Sequence, residues 1–155
     1  MSASGTSYTV DAMTAVHTTA QHEPGTLVTV DGFEYRYVKN SDTGTATSGC
    51  PVAMENFTDE MWVCRYDLST VIDGAILGVP MADLATGEYG WLLRDGVYQT
   101  CSVGDSVGEG CKVVAQSTDG VFRAATAGEL FYTCGVAMEA ATQAGTGVAI
   151  WVKGL

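Results

Sequence analysis

The sequence predicts an all-β fold: a single domain of short antiparallel strands forming a barrel or sandwich, preceded by an N-terminal arm. Three observations carry this. Among 155 residues, nineteen glycines stand against three prolines, which suits many tight turns between short strands. From residue 25 onward, β-rich apolar runs alternate with glycine-centred turn signals. The second half offers only two short helical stretches, "MADLAT" and "AMEAATQA". Roughly eight to ten strands are expected on this pattern.

The elements follow in order. Residues 1–24 contain no Lys or Arg, are rich in Thr and end in "HEP", so they read as a weakly structured arm. Val10, Met13 and Val16 form a thin apolar stripe on one short helical turn. With Tyr8 they are the arm's expected contact residues. Residues 25–155 form the β-rich domain. "LVTVDGFEYRYVKN" sets Asp31-Gly32 between two β-rich runs, which predicts a two-residue type I′ hairpin. Phe33, Tyr35 and Tyr37 alternate with Glu34 and Arg36, giving one aromatic and one charged face. "SDTGTATSG" is a polar loop, and "MWVCRY" and "AILGV" read as strands. Beyond them, Asp95-Gly96, Gly104-Asp105, Gly108-Glu109-Gly110 and Asp119-Gly120 punctuate further strands, the last being "GVAIWVKG".

A repeat runs through the second half. "GVPMADLATGEYGWLLRDG" (78–96) and "GVAMEAATQAGTGVAIWVKG" (135–154) both open Gly-Val-x-Met, pass through small residues and close on a glycine-bounded run with one Trp. Neither copy holds an acid–base pair, a nucleophile or a ligand set. Its glycines suit corners that need positive φ or close backbone approach, so the repeat is a scaffold.

Composition excludes several functions. Net charge is −11, and the seven bases are scattered singly, which opposes the phosphate neutralisation that nucleic-acid binding requires. No apolar run reaches membrane-span length, about 18 residues. Five cysteines, Cys50, Cys64, Cys101, Cys111 and Cys134, include no C-x-x-C pair, so no zinc site or other cofactor is expected. "MSASGTSYTV" lacks the basic and apolar regions of a signal peptide, so synthesis in a reducing cytoplasm with mostly reduced cysteines is expected. Cys101 and Cys111, flanking a glycine turn, are the pair most apt to meet across a hairpin.

Catalytic patterns fare no better. "GDSVG" (104–108) matches the G-x-S-x-G nucleophile elbow, but a strand pattern follows where a helix is required, and both histidines lie upstream. Ser106 is therefore expected to be a turn residue. His17, His22 and Glu23 match no metal-ligand spacing, and "NFT" (56–58) has no meaning without export. The protein is expected not to be an enzyme.

Three stretches in order carry a family resemblance: "PGTLVTVDGFEYRYVKN", "GVPMADLATGEYGWLLRDGVYQTCSVGDSVGEGCKVV" and "CGVAMEAATQAGTGVAIWVKG". They resemble, respectively, the first hairpin, the middle section and the ending of tailed-bacteriophage capsid decoration (cement) proteins. The segment "SDTGTATSGCPVAMENFTDEM" and the five cysteines depart from that pattern. The resemblance implies a structural virion protein on the capsid exterior, made in the host cytoplasm, commonly trimeric, and bound to the major capsid protein. Tyr8, Val10, Met13 and Val16 would then make capsid or subunit contacts. The alternatives are a receptor- or glycan-binding module of a head fibre or tail, and, more distantly, a hydrolase using Ser106. Aromatics grouped on surface loops would favour the binding module, and a flat apolar base would favour cement.

Overall fold

The computed structural model describes residues 8–54, 63–65, 76–116, 120–145 and 147–154. Among them run ten strands: β1 (Leu27–Val30), β2 (Phe33–Asn40), β3 (Val52–Met54), β4 (Val63–Arg65), β5 (Ile76–Pro80), β6 (Tyr89–Ser102), β7 (Lys112–Ala115), β8 (Phe122–Ala124), β9 (Gly135–Ala137) and β10 (Gly147–Lys153). Short 3₁₀ turns occupy Asp11–Thr14 and Ala127–Tyr132. The all-β expectation holds. "MADLAT" and "AMEAATQA" are not helical, however. Each is an irregular link carrying one isolated bridge, at Leu84 and Ala141.

The strands pair in the order β1-β2-β4-β3-β5-β6-β10-β9-β7-β8, and β2 also pairs with β6. All these ladders are antiparallel except the short β2–β4 pairing. β2 has β6 along one edge, while β1 and β4 share the other. The sheet ends at β1 and β8, so it is not closed into the barrel that the sequence allowed. The Asp31-Gly32 hairpin is as expected: Val30 pairs with Phe33, and both loop residues have the positive φ of a type I′ turn, 50° and 83°. Asp95-Gly96 is not a turn. β6 runs straight through it, and Gly96 (φ 152°) absorbs the distortion because a Cβ there would lie 2.6 Å from the Phe33 ring. Asp119 and "NFT" lie outside the described residues.

β2 is covered on both faces rather than on one. Tyr35 and Tyr37 join Met13, Val30, Trp91 and Leu93 in one cluster, while Val38 joins Ala46, Val52, Leu77, Leu84 and Leu92 in another. Arg36, expected on a solvent face, is buried. Burial pushes its guanidinium down to about 10, Arg94 pushes the same way, and Glu34 opposes them. Asn40, also buried, donates from Nδ2 to the carbonyls of Gly44 and Leu84, both at 2.8 Å. A third cluster around Cys101, Val113, Phe122, Val148 and Ile150 fills the second half.

The sequence repeat is a repeat of register, and it begins further upstream than the sequence shows. Val79 pairs with Leu93 and Pro80 with Leu92; in the second copy Val136 pairs with Trp151 and Ala137 with Ile150. Val52 faces Gly78 as Val113 faces Gly135. The bridge Ala46–Leu84 recurs as Val107–Ala141, and the left-handed glycines Gly49 and Gly87 recur as Gly110 and Gly145. Two equivalent halves, 46–96 and 107–154, thus share one scaffold. Trp91 and Trp151 are not counterparts: Trp151 stands where the first half has Leu93.

Gly78 and Gly135 explain the invariant opening of the repeat. A Cβ on Gly78 would run into the Leu93 carbonyl oxygen, and one on Gly135 would lie 2.5 Å from that of Trp151. Gly78→Ala, also strained at φ 151°, and Gly135→Ala are each expected to destabilise the fold by about 2 kcal/mol or more. Gly145→Ala keeps open space around its Cβ and bears only the left-handed penalty, about 1–2 kcal/mol. Urea denaturation of the three variants, ranked against one another, checks this.

Candidate functional site

The described part of the N-terminal segment lies against the sheet. His17 and Tyr89 exchange backbone hydrogen bonds of 2.9 and 2.8 Å, and the His17 ring shares a 3.0 Å hydrogen bond with the Tyr37 hydroxyl. That hydroxyl also accepts from the Gln21 N–H at 3.2 Å. Tyr8 meets Trp91 edge-on at 5.6 Å between centroids, and His22 stands 5.0 Å from Tyr37 and 5.2 Å from Trp91. Such aromatic pairs stabilise by about 0.5–1.5 kcal/mol each beyond their buried area. Both histidines therefore serve packing and hydrogen bonding to tyrosines. The sequence had no signal for this, because their partners lie 14 to 20 residues away or further.

The four residues singled out in the segment divide by position. Met13 is fully buried in the Tyr35–Trp91 cluster, and Tyr8 packs half-buried against it. Val10 and Val16 are exposed. Val10 also lines an open groove of about 440 Å³ with Phe33, Met81, Val97 and Tyr98.

A second apolar surface lies on the opposite half of the repeat. Val136, Met138 and Trp151 are exposed, and Val136 and Trp151 are direct cross-strand partners. The row continues to Val97 on β6 and Lys112 on β7, each a register partner of a residue in it. The Trp151 indole N–H donates to Asp95 Oδ1 at 2.9 Å, and the Lys153 ammonium lies 3.4 Å from Asp95 Oδ2. The indole is thereby held by its N–H while the residue stays exposed. This is a strand-borne apolar strip, and sequence reading missed it because β10 alternation alone does not say which face is covered.

The groups with chemical potential do not assemble. Ser106 is exposed in the link between the Gly104–Asp105 bend, where the Gly104 N–H donates to the Phe122 carbonyl, and Val107, which bridges to Ala141. Cys50, Cys101 and Cys134 are buried free thiols, and Cys111 is a half-buried one, so Cys101 and Cys111 are not joined. Burial pushes the Cys134 thiol up to about 12 and the Cys101 thiol further, which disfavours a nucleophilic thiolate at either. Among the described residues, no three His, Cys, Asp or Glu side chains gather as a metal site, and no helix is long and apolar enough to cross a membrane.

The described residues form an all-β domain whose surface carries exposed apolar side chains on its strands and along the N-terminal segment. The chain belongs to the phage cement protein family, whose profile matches residues 37–154, and is a capsid-associated structural protein. No curated protein matches it. Among solved structures it is similar to "head fiber gp8.5 N base in bacteriophage phi29", with 14% identity and a TM-score of 0.49, over 77% of this chain and 92% of that one.

The division within the N-terminal segment has a measurable consequence. Met13→Ala removes a fully buried side chain and is expected to cost about 2–5 kcal/mol of stability. Val10→Ala, at an exposed site, is expected to stay within about 0.5 kcal/mol. Thermal and urea unfolding followed by tryptophan fluorescence distinguish the two, since Trp91 reports directly on the cluster.

Proposed function

We propose that this protein binds the outer surface of a bacteriophage capsid as a decoration (cement) protein and stabilises the shell. Its partner is the major capsid protein, and it acts as a homotrimer made in the host cytoplasm. The observation that supports this reading above all is the family match, which spans both halves of the repeated scaffold. The exposed apolar residues fit it. Leu27, Val136 and Trp151 stand on strands and Val10 and Val16 along the segment beside them, an arrangement that suits a cementing surface. The role is structural, with no reaction and no cofactor invoked.

Residues 1–24 act as an arm of the domain of 25–155. Tyr8 and Met13 hold the described part of that arm on the aromatic cluster, while Val10 and Val16 present its outer side for capsid or subunit contact. An acidic surface of net charge −11 keeps the free protein from sticking to nucleic acid before assembly.

Purified full-length protein added to capsids that lack it is expected to co-sediment with them to a fixed saturating ratio. It is also expected to raise the temperature at which they release DNA. If it leaves capsids undecorated and unprotected, and binds host-cell glycans instead, the decoration reading fails and a receptor-binding role replaces it.

A further inference from the structure

The two halves of the repeat differ in one respect that bears on assembly. In the first half, Val79 and Leu93 are 0% and 2% exposed, and Met81 packs against the cluster of Met13, Tyr35 and Trp91. Their counterparts in the second half, Val136, Trp151 and Met138, are 37%, 46% and 47% exposed. The cover over Leu93 and Met81 comes from residues 8–37, the N-terminal segment and the β1–β2 hairpin, while Val79 is buried in the cluster around Cys101 and Ile150. The same scaffold therefore presents one covered and one bare apolar face.

Among the described residues, the remaining large exposed hydrophobics, Val10, Val16 and Leu27, all belong to the covering element. Charge separates the two groups. Two of the chain's three lysines frame the bare strip: Lys112 is the register partner of Val136, and Lys153 follows Trp151 by two residues. Lys153 is itself paired with Asp95 at 3.4 Å, and Glu139 accepts from the Ala149 N–H at 2.9 Å, so Lys112, exposed beside Val136, is the cation left facing out on the strip. The covering element, by contrast, has no Lys or Arg from residue 8 to 35, and exposes Asp11 and Glu23.

We infer that the bare β9–β10 strip of Val136, Met138 and Trp151 is the docking site for the Val10–Leu27 edge of a second copy of this chain. The inference rests on the trimer reading above and specifies its interface. The contact is head-to-tail. A two-fold contact of strip on strip would bring Lys112 toward its own copy and leave Val10, Val16 and Leu27 bare. A head-to-tail contact buries both apolar groups and sets the exposed Asp11 and Glu23 side against Lys112. Val10 lines the groove that reaches Val97, and Val97 is the register partner of Trp151, so donor and acceptor edges are neighbours on one subunit. Neighbouring complementary edges suit a small closed ring rather than an open filament.

The test uses the full chain with Trp151→Glu and Val10→Glu, both at exposed positions, with folding verified by circular dichroism. Met138→Glu and Val16→Glu replace either variant if it does not fold. By sedimentation velocity, the wild type is expected to be a trimer and each variant a monomer, with association weakened at least ten-fold. A 1:1 mixture of the two variants is expected to form heterodimers, because the first retains an intact donor edge and the second an intact strip. Trimers persisting in the Trp151→Glu variant, a mixture that stays monomeric, or a monomeric wild type would each overturn the inference. So would a Trp151→Glu trimer that no longer binds capsids, which would assign the strip to the shell. Capsid binding by the wild type, measured in parallel, reports on the decoration reading independently.

Discussion

The two halves of this fold are joined through one strand, which pairs with β2, β5 and β10. β6 runs for 14 residues, pairing through its first half with β2 and through its second with β10. A strand of that length spans about 45 Å, so it belongs to both halves of the molecule at once. β5 joins it at Leu92 and Leu93. A strand shared in this way must twist along its length, and Gly96 supplies the distortion where the partners change. The glycines at 78 and 135 then let the neighbouring chain approach the carbonyls of Leu93 and Trp151 more closely than any side chain would permit. The repeated register depends on those two approaches.

Duplication of a scaffold creates a problem of cover. Each half presents an apolar face at the same register, but the chain carries a single N-terminal segment to lay over one of them. The first half uses it, through Met13, Tyr8 and the ring cluster of Tyr37, His22 and Trp91. The second half is left with Trp151 exposed, its indole N–H already satisfied by Asp95, so only apolar surface remains to be buried. In a capsid-associated structural protein, such a face suits assembly better than solvent.

Much of this architecture was legible in the sequence, and what escaped it did so for identifiable reasons. The Asp31-Gly32 turn could be read because two adjacent positive-φ residues have a narrow chemistry. Asp95-Gly96 carries the same dipeptide yet lies inside β6, because β2 and β10 hold the strand extended on either side. Tertiary pairing there overrides a local turn preference. "MADLAT" and "AMEAATQA" have helical composition, but single bridges to Ala46 and Val107 pin their midpoints as extended links. The alternation of β2 suggested one charged face, whereas a core packs on each side and encloses Arg36. Similarly, Trp91 and Trp151 looked equivalent in the repeat, but register matches Trp151 to Leu93. The apolar strip became visible only with that correction, since burial depends on what covers a strand and not on the strand itself.

Electron cryomicroscopy of the virion tests the central claim most directly, that this repeated β-scaffold is a cementing element on the capsid exterior. The account predicts density for the scaffold in closed three-subunit rings on the outer surface of the shell, with the β9–β10 strip of each subunit against the N-terminal edge of the next. Density confined to tail fibres, or a shell whose exterior bears none of this protein, would contradict it.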